Sequence, residues 1–143
     1  MDVSDLRKRI LRALDDARTD AALKRTETDV AQRDYEHFLE TVAVPLLRQA
    51  QGILKAEGQL FTVHAPAGSA KLVSDGNAQT FLELVLERSG DRPAVLGRVS
   101  RARGRQRVVV DERPIAESKA VGALTDEDVA AYLVTEIPKL VGR

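Results

Sequence analysis

The sequence predicts an α+β fold: a long N-terminal helical arm, kinked or broken along its length, then a five-stranded antiparallel meander, then a C-terminal helix packed on the sheet. Three observations predict it. Residues 3 to 57 hold one glycine (Gly52) and one proline (Pro45) and are rich in Ala, Leu, Arg, Glu, Asp and Gln, most of which favour helix. Residues 58 to 124 hold most of the glycines, with Asp/Asn/Ser turn clusters between runs of Val, Leu and Phe. From Thr125 onward the pattern is helical again. The expected division is a helical arm for oligomerisation over residues 1–57 and a unit of antiparallel sheet plus C-terminal helix over residues 58–143.

In the arm, Ser4 is placed to cap a helix and Asp5 sits at the favourable end of its dipole. Leu6, Ile10, Leu14 and Ala17 recur at three- and four-residue steps and form an apolar stripe. The stripe thins over Arg18–Asp29. There either Thr19 or Asp20 caps a second helix, or the helix runs straight through. It resumes as Val30, Ala31, Tyr35, Phe38, Leu39, Val42, Leu46, Ile53 and Leu54. Pro45 has no N–H and clashes with the preceding turn, which predicts a kink or a restart near Thr41–Val44. Gly58 is placed to end the helix in a left-handed conformation.

Five strands are expected next, at Leu60–His64, Ala70–Ser74, Thr80–Arg88, Ala94–Ala102 and Arg105–Arg113, separated by turn residues. In the third, Leu82, Leu84 and Leu86 share one face. The last two are expected to turn at Arg103-Gly104, which sets Val99 opposite Val108 and Gly97 opposite Val110. Val95, Val99, Val108 and Val110 then face the core, and Arg98, Ser100, Arg107 and Asp111 face out. In the closing helix Thr125 is the N-cap and Asp128 the capping-box acid, ahead of a stripe of Val129, Leu133, Ile137 and Leu140, with Tyr132 and Val141 beside it.

Composition narrows the function. The chain has 143 residues, 22 basic against 22 acidic, so no global charge draws it to nucleic acid or anionic lipid. It has no cysteine, which excludes disulfides, thiolate metal sites and a cysteine nucleophile. No apolar run approaches the ~20 residues needed to cross a bilayer, and the charged N-terminus is unlike a signal peptide. The expectation is a cytoplasmic protein with no membrane partner.

Catalytic motifs are sparse. No Walker loop, strand-bound GxGxxG or GxSxG elbow occurs. Asp34 and His37 stand three apart on a helix, as in half of a carboxylate-bundle metal site, but the acid is Asp and no second pair follows. The simpler reading is a solvated helix side, and no cofactor or metal is expected. His64 shares a strand face with Thr62. It is a surface residue, or it lines a pocket between sheet and C-terminal helix near Tyr132. Glu83 and Glu87 share a strand face about 7 Å apart, with no apolar setting to make either a general acid. Arg98, Arg101, Arg103, Arg105 and Arg107 fall within ten residues containing no acid, a ribbon able to grip phosphates. No aromatic residue interleaves to stack bases, and residues 111–128 carry six acids against two bases that would neutralise it.

A straight helix over residues 4–57 would be about 80 Å long, beside a unit of only ~85 residues roughly 25–30 Å across. Its stripe would exceed what that unit covers, unless the arm folds back near Thr19. The heptad register is imperfect, since Asp20 and Lys24 fall on the seam, so a short helical bundle between protomers is expected rather than a long coiled coil. The leading expectation is a non-enzymatic, self-associating assembly or adaptor protein, with a homodimer favoured over other oligomers. Leu6, Ile10, Leu14, Tyr35, Phe38 and Val42 form its interface, and the α+β unit is presented to a protein partner. The alternatives are a nucleic-acid or polyanion binder using the arginine ribbon, and a small-ligand or enzymatic unit with its pocket near His64.

Overall fold

The structure is a computed structural model, and it describes every residue except Asp91, Arg105, Gln106, Gly142 and Arg143. The element order is helix α1 (Val3–Phe38), a π-helical turn (Leu39–Ala43), helix α2 (Val44–Ala56), strands β1 (Phe61–His64), β2 (Ser69–Ser74), β3 (Phe81–Glu87), β4 (Ala94–Arg103) and β5 (Arg107–Pro114), a 3-10 turn (Val121–Ala123) and helix α3 (Asp126–Val141). The fold is α+β, with a five-stranded antiparallel sheet in the order β1-β2-β3-β4-β5.

The chain divides into two compact units, Met1–Val30 and Ala31–Arg143. The unit with the sheet therefore takes in residues 31–57 as well. The first unit is helical from Val3 without interruption at Thr19. Every residue from Met1 to Glu27 is exposed.

In the second unit, one face of the sheet supplies Leu72, Leu82, Leu84, Val95 and Val99 to the core. The helices supply Tyr35, Phe38, Leu47, Leu54, Val129, Tyr132 and Leu133. Tyr35 anchors α1. Its ring is buried, and its hydroxyl lies 2.8 Å from the Gly68 carbonyl and 3.0 Å from that of Leu84, donating to one at a time. The Gln51 side chain accepts the Val63 N–H at 2.7 Å, satisfying a donor on the edge strand β1.

The helix is re-phased at the π turn. The Val44 N–H donates to the Leu39 carbonyl, five residues back, and Pro45 follows with no N–H to give. The extra residue advances the apolar stripe by roughly 100°. The buried positions then run Ala31, Tyr35 and Phe38 before the turn, Leu39 and Ala43 at its two ends, and Leu47, Ala50 and Leu54 after it. Two residues of the expected stripe are in water, Val30 at 45% and Ile53 at 66% exposure. The π turn overlaps the stretch where Pro45 predicts an interruption, and Gly58 ends the segment with φ +79°.

The last hairpin departs from the expected register. Arg103 pairs with Arg107, Ala102 with Val108, Ser100 with Val110 and Val99 with Asp111. The connection spans three residues, 104–106, and Gly104 has φ +68°. The shift relative to expectation is three residues, an odd number, so every β5 side chain changes face. Val108 and Val110 are exposed rather than in the core, while Ser100 is buried and donates to the Gln79 carbonyl at 2.6 Å.

The α3 start is as expected. The Thr125 N–H donates to Asp128 at 2.9 Å, and the Asp128 N–H donates to Thr125 Oγ1 at 3.3 Å. Its docking depends on Gly97. A Cβ added there would lie 2.0 Å from Cζ of Tyr132. Gly97→Ala is expected to cost about 2 kcal/mol in urea unfolding through overpacking. The cost should be smaller in a Tyr132→Leu background, because the two residues share one contact. Equal costs in both backgrounds would show that the ring is not the obstacle.

Candidate functional site

Three groups of residues are candidates: the apolar stripe of the first unit, the arginine-rich hairpin, and the acids and histidines noted for chemistry.

The stripe is exposed along its length. Leu6, Ile10, Leu11 and Leu14 are 47, 50, 52 and 47% exposed, and Val3 is 81%. A helix buries only what a neighbouring surface covers, and side chains of this size gain roughly 1.5–3 kcal/mol each on full burial. Of the six expected interface residues, Leu6, Ile10 and Leu14 stand open. Tyr35 and Phe38 are instead core residues of the chain itself, at 1 and 4% exposure, and Val42 is half-buried against that core. The reason is that residues 31–43 pack on the sheet, so their stripe is already used.

The arginines separate by position. Arg98 is engaged in a cross-strand ladder on the open face of the sheet: Lys71 on β2, Glu83 on β3, Arg98 on β4 and Glu112 on β5 lie directly opposite one another. The gaps are 3.8 Å from Lys71 to Glu83, 3.5 Å from Glu83 to Arg98 and 2.8 Å from Arg98 to Glu112. The signs alternate across four strands, and Lys71 also lies over the Phe81 ring. Glu83 is therefore held by two cations. Arg101 and Arg103 line a depression of ≈ 610 Å3 with Thr80, Lys139 and Leu140. Arg107 is exposed on β5. Arg105 lies outside the described residues.

The remaining candidates scatter. His64 and His37 are both exposed. Asp34 is turned toward the 3-10 turn, where a side chain on Gly122 would meet its carboxylate at 2.7 Å. Among the described residues, no three His, Asp or Glu side chains gather at metal-holding distance. His64 and Tyr132 do not share a pocket: His64 is on the edge strand, and the Tyr132 ring lies buried over Gly97. A ≈ 570 Å3 depression between the helices and the β1–β2 turn is lined by Leu39, Val44, Pro45 and Pro66 with Glu36, Glu40 and Arg48. The Glu87 carboxyl takes hydrogen bonds from the Ser89 hydroxyl and N–H, which hold it below its ordinary value.

One buried acid escaped the sequence. Glu136 is 2% exposed and lies between Arg113 at 2.9 Å and Lys139 at 3.0 Å. The Arg113 guanidinium also covers the Tyr132 ring at 4.6 Å. The signal available was spacing: Tyr132, Glu136 and Leu140 recur at four-residue steps, so an acid sits on the apolar stripe. Burial pushes the Glu136 carboxyl up, but Lys139 and Arg113 outweigh it and hold it below 4.5. Burial likewise pushes the Tyr132 hydroxyl up, and that hydroxyl has no hydrogen-bond partner among the described residues.

The Glu136 carboxyl thus titrates lower folded than unfolded, and its contribution is complete above 4.5 and lost as the pH falls through the folded value. The stability gap between wild type and Glu136→Gln, measured by denaturant unfolding, is expected to be wide at neutral pH and to close in acid. A gap of constant size across that range would count against the ion pair.

Helices long and apolar enough to cross a membrane are absent among the described residues. Comparison with family models, curated proteins and solved structures finds no match for this chain, so these surfaces themselves carry the functional reading.

Proposed function

We propose that this chain is a non-enzymatic assembly or adaptor protein. It self-associates through its N-terminal helical segment and presents the α+β unit to a macromolecular partner. The observation that carries this reading is the exposed stripe of Leu6, Ile10 and Leu14 in Met1–Val30. Five large aliphatic side chains on little more than three turns of helix, counting Val3 and Leu11, are costly to leave in water. A second helix of the same kind is the simplest cover. The acids noted for catalysis are engaged structurally: Glu83 pairs with Lys71 and Arg98, and Glu87 accepts from Ser89.

Leu6→Glu combined with Ile10→Glu and Leu14→Glu is expected to convert a dimer to a monomer in sedimentation or light scattering at micromolar concentration. Near-ultraviolet circular dichroism of the tyrosines should stay unchanged, since both belong to the second unit. A wild-type chain that sediments as a monomer sinks the reading outright.

A second reading rests on Arg101, Arg103 and Lys139, which border one depression. This cationic edge suits a polyanion. Arg101→Glu with Arg103→Glu should then weaken binding to heparin or an oligonucleotide on the order of tenfold at low salt, and added salt should weaken the wild type in the same direction. Absence of wild-type retention on heparin at low salt removes this alternative.

A further inference from the structure

We infer that two copies of the N-terminal segment pair antiparallel, crossing near Arg12; this rests on the self-association reading above. Two independent features of the segment point the same way.

The first is charge. Arg7, Lys8, Arg9 and Arg12 form a block with no acid between them, and Asp15, Asp16 and Asp20 follow with Arg18 as the sole intervening cation. Arg18 is already within 3.8 Å of Asp15. A parallel pair in register lays the cationic block on its own copy. An antiparallel pair lays Arg7, Lys8 and Arg9 beside the acids and leaves only Arg12 at the crossing, bringing the level of Lys8 and Arg9 to that of Asp16 and Asp15, and two-fold symmetry makes the match twice.

The second feature is size. The stripe carries large side chains at Leu6, Ile10 and Leu14 and only small ones at Ala17 and Ala21 beyond them. Parallel pairing stacks large on large at one end and leaves alanines facing alanines at the other, which two straight helices do not accommodate at one separation. Antiparallel pairing about residue 12 sets Val3 against Ala21, Leu6 beside Ala17 and Ile10 against Leu14. Large then meets small at both ends, and the helix separation stays even. On the face that runs through Ala17 and Ala21 the stripe ends at Ala21, with Lys24 and Arg25 three and four residues on, so the overlap is short and matches the reach of that face.

The chain has no cysteine, so a single introduced one reports position without background. Nitroxide labels at Ser4→Cys on the full chain, read by dipolar electron resonance, should lie about 26 Å apart. That figure combines ~24 Å of axial offset at ~1.5 Å per residue with a helix separation of roughly 10 Å. A mixture of Ser4→Cys and Asp20→Cys chains should add a short distance, on the order of 10–15 Å. A short distance in the Ser4→Cys sample alone, with a dimeric mass, overturns the antiparallel arrangement and leaves self-association standing. A monomeric mass with no dipolar coupling overturns both.

Discussion

The close approach of the Tyr132 ring to Gly97 is the constraint on which the second unit depends. With no Cβ in the way, the ring rests on the backbone of β4 and draws α3 onto the sheet. Arg113, opposite Gly97 on β5, then lies over the face of that buried ring and is placed to meet Glu136 one turn further along the helix. A buried carboxylate is tolerable only because two cations reach it. The chain has two tyrosines, and the other fastens α1 to backbone carbonyls of the β1–β2 turn and of β3. In a core made mostly of Leu, Val and Ala, with Phe38, Phe61 and Ile115, these two large rings with polar tips define where each helix sits.

Electrostatics work locally here. The balanced charge of the chain is partly organised as the ladder of Lys71, Glu83, Arg98 and Glu112, which neutralises itself across four strands. It also selects register, because a one-residue slip of any strand would carry its charged residue to the helix-covered face. Arg98 therefore belongs to the sheet rather than to a free cationic ribbon. The hairpin is less basic than its sequence suggests.

Element existence was legible in the sequence, whereas pairing and phase were not. The five strands and the capped α3 follow from local composition and turn residues. The register of the last hairpin depended on a three-residue connection, and the residue string around Gly104 does not distinguish two from three. Opposite charges at Arg98 and Glu112 were the clue that valine matching overrode. Tyr35 and Phe38 fitted a stripe equally well as interface or core, because periodicity says that a face is covered and not by what. Glu136 was hidden for the complementary reason. Its partner Arg113 is 23 residues away in sequence, and only the fold brings them together.

The π turn at Leu39–Ala43 has a consequence for the gene as well as for the protein. A helix normally tolerates exchange of residues but not a change in their number. Here one residue is surplus to regular winding, and the surplus lets Tyr35 and Leu47 address the same core. Loss of a single codon within this stretch would restore ordinary α-helical geometry while turning Tyr35 and Phe38 away from their cavities. A repair that looks like an improvement in local regularity would therefore unseat the anchor of α1. Lineages carrying this fold are expected to keep the spacing between Tyr35 and Leu47 even where the identities between them drift.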